Sequence, residues 1–123
     1  MMDELLSLRV ALSPDVMTTV RLATGGVCSL VSLSYDDGED CKVCVTESLL
    51  LLLRGGYASA RVAFADGDEL SVSVEGDGEC GQSAGCEEDE IALALINALA
   101  RGVVMERRDG AIAKITFTFG KQA

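Results

Sequence analysis

Residues 58–76 read ASARVAFADGDELSVSVEG. Ala60, Val62 and Phe64 fall on one side of an alternating run over 58–65, and Leu70, Val72 and Val74 on one side of a second run over 70–75. A period of two is what a strand with one buried face requires. Between the runs, Asp66-Gly67 has the composition of a tight hairpin turn. Two strands with a single apolar face do not stand alone in water, so other elements must cover this hairpin.

Downstream, Gly76 to Glu88 holds four glycines and no periodicity, which predicts a loop. Ile91, Leu95, Ile96 and Leu99 recur at helical spacing and predict a helix over 87–100. A second hairpin is expected to join 103–107 to 112–119 through Asp109-Gly110. Upstream, a helix over 39–54 ends at Gly55-Gly56. Its unbroken run Leu49 to Leu53 is apolar all round, so that helix is buried on more than one side. Asp36 to Asp40 reads as an acidic turn before it. Ser13-Pro14-Asp15 reads as a helix start, with a capping hydroxyl, Pro at the first helical position and a carboxylate at the positive end of the dipole. This first helix is expected to reach about Leu33, weakened by Gly25-Gly26. Before it, Leu6, Leu8, Val10 and Leu12 alternate with Ser7, Arg9, Ala11 and Ser13, the pattern of a half-buried strand. The order β-α-α-β-β-α-β-β, joined largely by hairpins, predicts an α+β fold: a two-layer sandwich of a mostly antiparallel sheet with helices on one face. The 123 residues suit a single domain, 1–123.

Composition limits the chemistry. The 20 acidic residues against 10 basic give a net charge of −10, which repels nucleic acid and anionic membranes and favours basic partners. No apolar run is long enough to span a bilayer, and Asp3 and Glu4 beside the first residues do not resemble a signal peptide. A cytoplasmic setting is therefore expected. The chain has no His, which excludes a Ser-His-Asp site and removes the usual general base and metal ligand. Five Cys, an odd number, point to thiols rather than a disulfide framework.

The element order, together with Asp40-Cys41-Lys42-Val43-Cys44-Val45-Thr46-Glu47-Ser48, resembles the anti-sigma-factor serine kinases of the ATPase superfamily that includes gyrase and histidine kinases. The resemblance covers nearly the whole chain. It implies a nucleotide-binding fold, with Mg-ATP as cofactor where the site is intact. It makes Glu47 the counterpart of the carboxylate that polarises the attacking hydroxyl. Four residues later the family places an Asn on Mg²⁺; this chain has Leu51, and hydrocarbon offers no oxygen to a cation that demands an octahedron of oxygens. The family's Asp-x-Gly, whose Asp meets the adenine amino group, falls on Gly76-Asp77-Gly78, with Gly in place of that Asp. Losing such a hydrogen bond costs about 1.5–3 kcal/mol. The Gly-x-Gly-Leu phosphate cradle falls on Glu90-Ile91-Ala92-Leu93, so Glu90 and Ala92 replace both glycines. Glu87, Glu88, Asp89 and Glu90 crowd a helix start that would otherwise attract phosphate. Ala113 stands where the family often has Thr.

The resemblance thus implies an inherited fold with an abandoned nucleotide site. The function expected is regulation by protein contact, with a sigma factor or its antagonist as partner and pairing of two copies through the N-terminal strand and first helix. The rival is an ATP-dependent serine kinase with Glu47 as base. Two other motifs bear on metal binding. Cys41 and Cys44, with Cys80 and Cys86, would make four zinc thiolates, but the first pair lies in a predicted helix and the second is spaced too widely, so buried thiols are expected and no metal. Gly76 to Glu79 lacks the spaced oxygen ligands of a Ca²⁺ loop.

Overall fold

The computed structural model describes residues 3–78 and 87–122. Within them the chain runs β1 (Asp3–Ala11), a 3-10 turn (Pro14–Val16), α1 (Met17–Leu30), α2 (Tyr35–Arg54), β2 (Ser59–Asp66), β3 (Glu69–Asp77), α3 (Glu87–Leu99), β4 (Arg101–Arg108) and β5 (Ala111–Gly120). The strands form one open antiparallel sheet in the order β1-β2-β3-β5-β4. This is the α+β two-layer sandwich that the alternating runs predict. No helix among the described residues is long and apolar enough to cross a membrane.

Strand register builds the core. Val62, Val74 and Ile115 lie opposite one another on β2, β3 and β5, and Phe64, Val72 and Phe117 form the next row. All six are fully buried. They share one cluster with Val20 and Val27 of α1, Val45, Leu49 and Leu52 of α2, and Ala92 and Ile96 of α3. The other side of the sheet has a different character. Ser7, Ala63, Ser73, Thr116 and Val104 run in register across it, and beside them Arg9, Arg61, Glu75, Lys114 and Glu106 make a charged row. Small and charged side chains alternate with the apolar ones because successive residues of a strand face opposite ways.

The helix ends depart from expectation in instructive ways. Asp36 to Asp40 is no turn: α2 begins at Tyr35, and the Asp37 amide donates to Ser34 Oγ at 3.1 Å. Asp36 and Asp37 occupy its first turn, where the helix dipole favours carboxylates. Ser13, expected to cap the first helix, makes no side-chain cap bond; Pro14–Val16 is a 3-10 turn and α1 starts at Met17. α1 stops at Leu30, not Leu33. Ser32 has φ 61°, its amide donates to Ser29 O, and the Leu33 amide donates to Cys28 O at 3.0 Å. This pair of bonds is a Schellman ending with Ser in the position usually taken by Gly. The second helix ends the same way with Gly56 at φ 91°, and there the Tyr57 amide donates to Leu52 O at 3.1 Å. Gly25-Gly26 lie within α1 without breaking it; packing of the helix outweighs a cost of about 1 kcal/mol per Gly.

Both hairpins form. In the second, Asp109 and Gly110 carry φ of 53° and 82°, the two-residue turn that matches strand twist. In the first, the connecting residues are Gly67-Asp68, one position later than expected. Of the predicted loop 76–88, Gly76 and Asp77 belong to β3 and Glu87 and Glu88 to α3. The loop prediction for 79–86 lies outside the described residues.

Replacing Ser34 by Ala should destabilise the protein by about 1 kcal/mol, whereas Ser13→Ala should change stability by less than about 0.5 kcal/mol. Urea unfolding of the two variants measures the difference.

Candidate functional site

The residues singled out by the resemblance come from four elements, α2, β3, α3 and β5. On α2, Glu47 is half-buried, and Ser48 beside it is fully buried with its hydroxyl donating to Cys44 O at 2.7 Å. One turn on, Leu51 is 4% exposed and belongs to the core cluster. Its side chain is spent on packing and supplies no oxygen to a cation.

At the end of β3, Gly76 is buried. A Cβ built there would lie 2.5 Å from the ring of Tyr57, which is itself 2% exposed. The ring therefore takes the space of any side chain at this position. Glu75 and Asp77, the acids on either side of Gly76, lie on the opposite side of the strand, as alternation requires. Glu75 pairs in register with Arg61 and Lys114. Asp77 accepts a hydrogen bond from Arg9 Nε, and that guanidinium holds its carboxyl below the usual carboxylate range. Gly78 follows with φ 88°. A polar recess of about 240 Å³ opens on this outer face, lined by Arg61, Glu75, Asp77 and Arg108.

At the start of α3, Ala92 is fully buried in the core and Glu90 is exposed. Asp89 is engaged: Arg54 Nε, from the end of α2, donates to its carboxylate at 2.6 Å. The pair is mostly buried and ties the two helix ends together. Ala113 of β5 is 3% exposed. These positions do not fit a magnesium nucleotide: Leu51 and Ala92 are packed as hydrocarbon, and Tyr57 fills the space beside Gly76.

The cysteines are arranged differently from the spacing that drew attention to them. Cys41 and Cys44 are both fully buried on α2. Burial pushes the Cys44 thiol up to about 12, with help from the charges of Asp40 and Glu47. Cys41 meets Cys28 of α1, thiol to thiol across the helix pair, and that hydrogen bond, followed by burial, raises its own pKa. Cys80 and Cys86, the other half of the zinc set considered above, lie outside the described residues. Among the described residues, no three His, Cys, Asp or Glu side chains are placed to hold a metal ion. Cys28 also borders a cleft of about 300 Å³ between α1 and α2, shared with Gly25, Tyr35, Glu39 and Lys42. No spacing in the sequence links Cys28 to Cys41, because the turn between the helices sets their approach.

Gly76→Ala should cost about 1–3 kcal/mol by forcing Cβ into the Tyr57 ring. With Tyr57→Leu already in place, the same substitution should cost less than half as much. A double-mutant cycle by urea denaturation reads that coupling.

No protein-family model matches the chain, and no curated protein matches it.

Proposed function

We propose that this chain is a regulatory binding domain, related in shape to the anti-sigma-factor serine kinases, that acts by contact with another protein and not by phosphotransfer. The observation that carries the reading is the packing of Leu51 at the position where the resembled family holds Mg²⁺. Tyr57 against Gly76, and Ala92 in the core, support it from the two other motifs. Moving charged phosphates and a cation against such surfaces, without compensating ligands, is strongly unfavourable.

The partner proposed is of the class those kinases meet, a sigma factor or an antagonist of its regulator, and the setting proposed is the cytoplasm. Leu22, Leu30 and Tyr35 support contact through α1 and the start of α2: they are 73%, 70% and 80% exposed. Burying apolar area at an interface contributes roughly 25 cal/mol per Å². The net charge of −10 complements a basic partner surface and would speed encounter with it. Pairing of two copies through β1 and α1 belongs to the same proposal. No cofactor is part of it.

Calorimetric titration with Mg-ATP and Mg-ADP tests the reading directly. The expected result is no saturable heat at nucleotide concentrations up to about 1 mM, the weak end of ordinary binding. One-site binding below that concentration would overturn it and favour a kinase with Glu47 as base.

A further inference from the structure

The thiol pair buried between α1 and α2 has no place in the proposed function. Cys28 projects from α1 where α2 comes close: a Cβ built on Gly38 would lie 3.7 Å from Cys28 Cβ. Its neighbour across the interface is Cys41, to which it is hydrogen-bonded. On its other side Cys28 borders the cleft of about 300 Å³ lined also by Ser34, Tyr35, Glu39 and Lys42. Lys42 lies back over α1, so that a Cβ on Gly25 would come 3.0 Å from its Cε. Its ammonium is 2.6 Å from Glu39 Oε2. A thiol and a cation thus line an accessible cleft, and a second thiol lies buried behind them in the α1–α2 interface.

We propose that Cys28 is a peroxide-reactive thiol and that Cys41 resolves it, so that a small peroxide entering the α1–α2 cleft closes a disulfide between the two helices. In the first step the Cys28 thiolate attacks one oxygen of hydrogen peroxide, the O–O bond breaks, and hydroxide leaves with the electron pair. Cys28 is then a sulfenic acid. In the second step the Cys41 sulfur attacks the Cys28 sulfur, its proton joins the departing hydroxyl, and water leaves. Two thiols and one peroxide give one disulfide and two waters, once hydroxide takes up the proton lost by Cys28.

The environment assigns the two roles. The hydrogen bond with Cys41, and then the Lys42 charge, hold Cys28 below the ordinary thiol range against the opposing effect of burial. The thiolate is the attacking form. Cys41 is pushed the other way, first by the same bond and then by burial; once Cys28 is a sulfenic acid that bond no longer holds the proton, and Cys41 gives it to the departing hydroxyl as its sulfur attacks. Arg21 adds positive charge near Lys42, and Tyr35 lies beside it. Neither Cys41 nor Cys44 lines the cleft, so Cys28 is the thiol that a reagent in it meets first. With Cys28 only 4% exposed, size selects the reagent: hydrogen peroxide enters where bulky disulfides do not.

The chain itself simplifies the test. Tryptic cleavage after Arg21 and Lys42 releases residues 22–42, which contain Cys28 and Cys41 and no other Cys. After brief treatment of the folded protein with hydrogen peroxide and alkylation of remaining thiols, that peptide should lose both alkylation sites and weigh two hydrogens less than its reduced form. Dithiothreitol should restore it. Cys41→Ala should instead leave a sulfenic acid that dimedone traps on Cys28, and Cys28→Ala should abolish trapping within the peptide. Peptide 22–42 remaining reduced while Cys80 or Cys86 is oxidised would overturn the proposal. So would dimedone labelling of Cys41 in place of Cys28. The wild-type mapping decides the matter even where a variant fails to fold.

Discussion

α2 buries Cys41, Cys44, Val45, Ser48, Leu49, Leu51 and Leu52 together. At 100° per residue these side chains sweep an arc approaching half the helix circumference, far wider than the stripe a surface helix presents. One part of the arc lies on the sheet, and the flanks meet α1 and α3. A helix held on three sides has little freedom to lose a side chain or to open a pocket. Leu51 stands at one edge of this arc, and Cys41, at its middle, meets Cys28 of α1.

The sheet carries the same constraint to the far side. Alternation places Gly76 inward and Glu75 and Asp77 outward, so both acids lie on the face away from the helices. They are used instead in the charged row with Arg9, Arg61 and Lys114. Arg9 and Arg61 stand directly opposite each other, an unfavourable like-charge pair. Asp77 on Arg9 and Glu75 opposite Arg61 offset it. A one-residue shift of β3 would bring the acids inward, but would also turn Val72 and Val74 out to water, which is why register is not negotiable here.

What was legible in the sequence follows from which signals are local. Period-two alternation fixed the strands, because Val62, Phe64, Val72 and Val74 leave only one choice of buried face. Asp109-Gly110 was readable because positive φ at both positions demands such residues. The end of α1 was not readable: Ser32 adopts the left-handed conformation under tertiary constraint, and the Gln122 amide donates to its carbonyl at 3.1 Å from the far end of the chain. Ser13 reads as a helix cap and Ser34 does not stand out, yet the path of the backbone gives Ser34 a cap bond and Ser13 none. The Tyr57–Gly76 contact and the Cys28–Cys41 pair arise where distant segments meet. A short motif such as Cys41-x-x-Cys44 therefore directed attention to a pair on one helix, while the partner lay on its neighbour.

The filled positions also bear on how such a domain is stabilised. A domain with a working ligand cavity leaves apolar walls unpacked until the ligand arrives, and its stability rises with ligand concentration by mass action. Side chains that close the space remove that dependence, since a cavity costs roughly 24 cal/mol for each Å³ left empty. Leu51 at 4% exposure and Tyr57 at 2% place hydrocarbon and an aromatic ring in the core permanently. Stability drawn from packing does not depend on a ligand. At the α1–α2 interface, by contrast, a cleft of about 300 Å³ remains open beside Cys28, where a small molecule can still alter the packing.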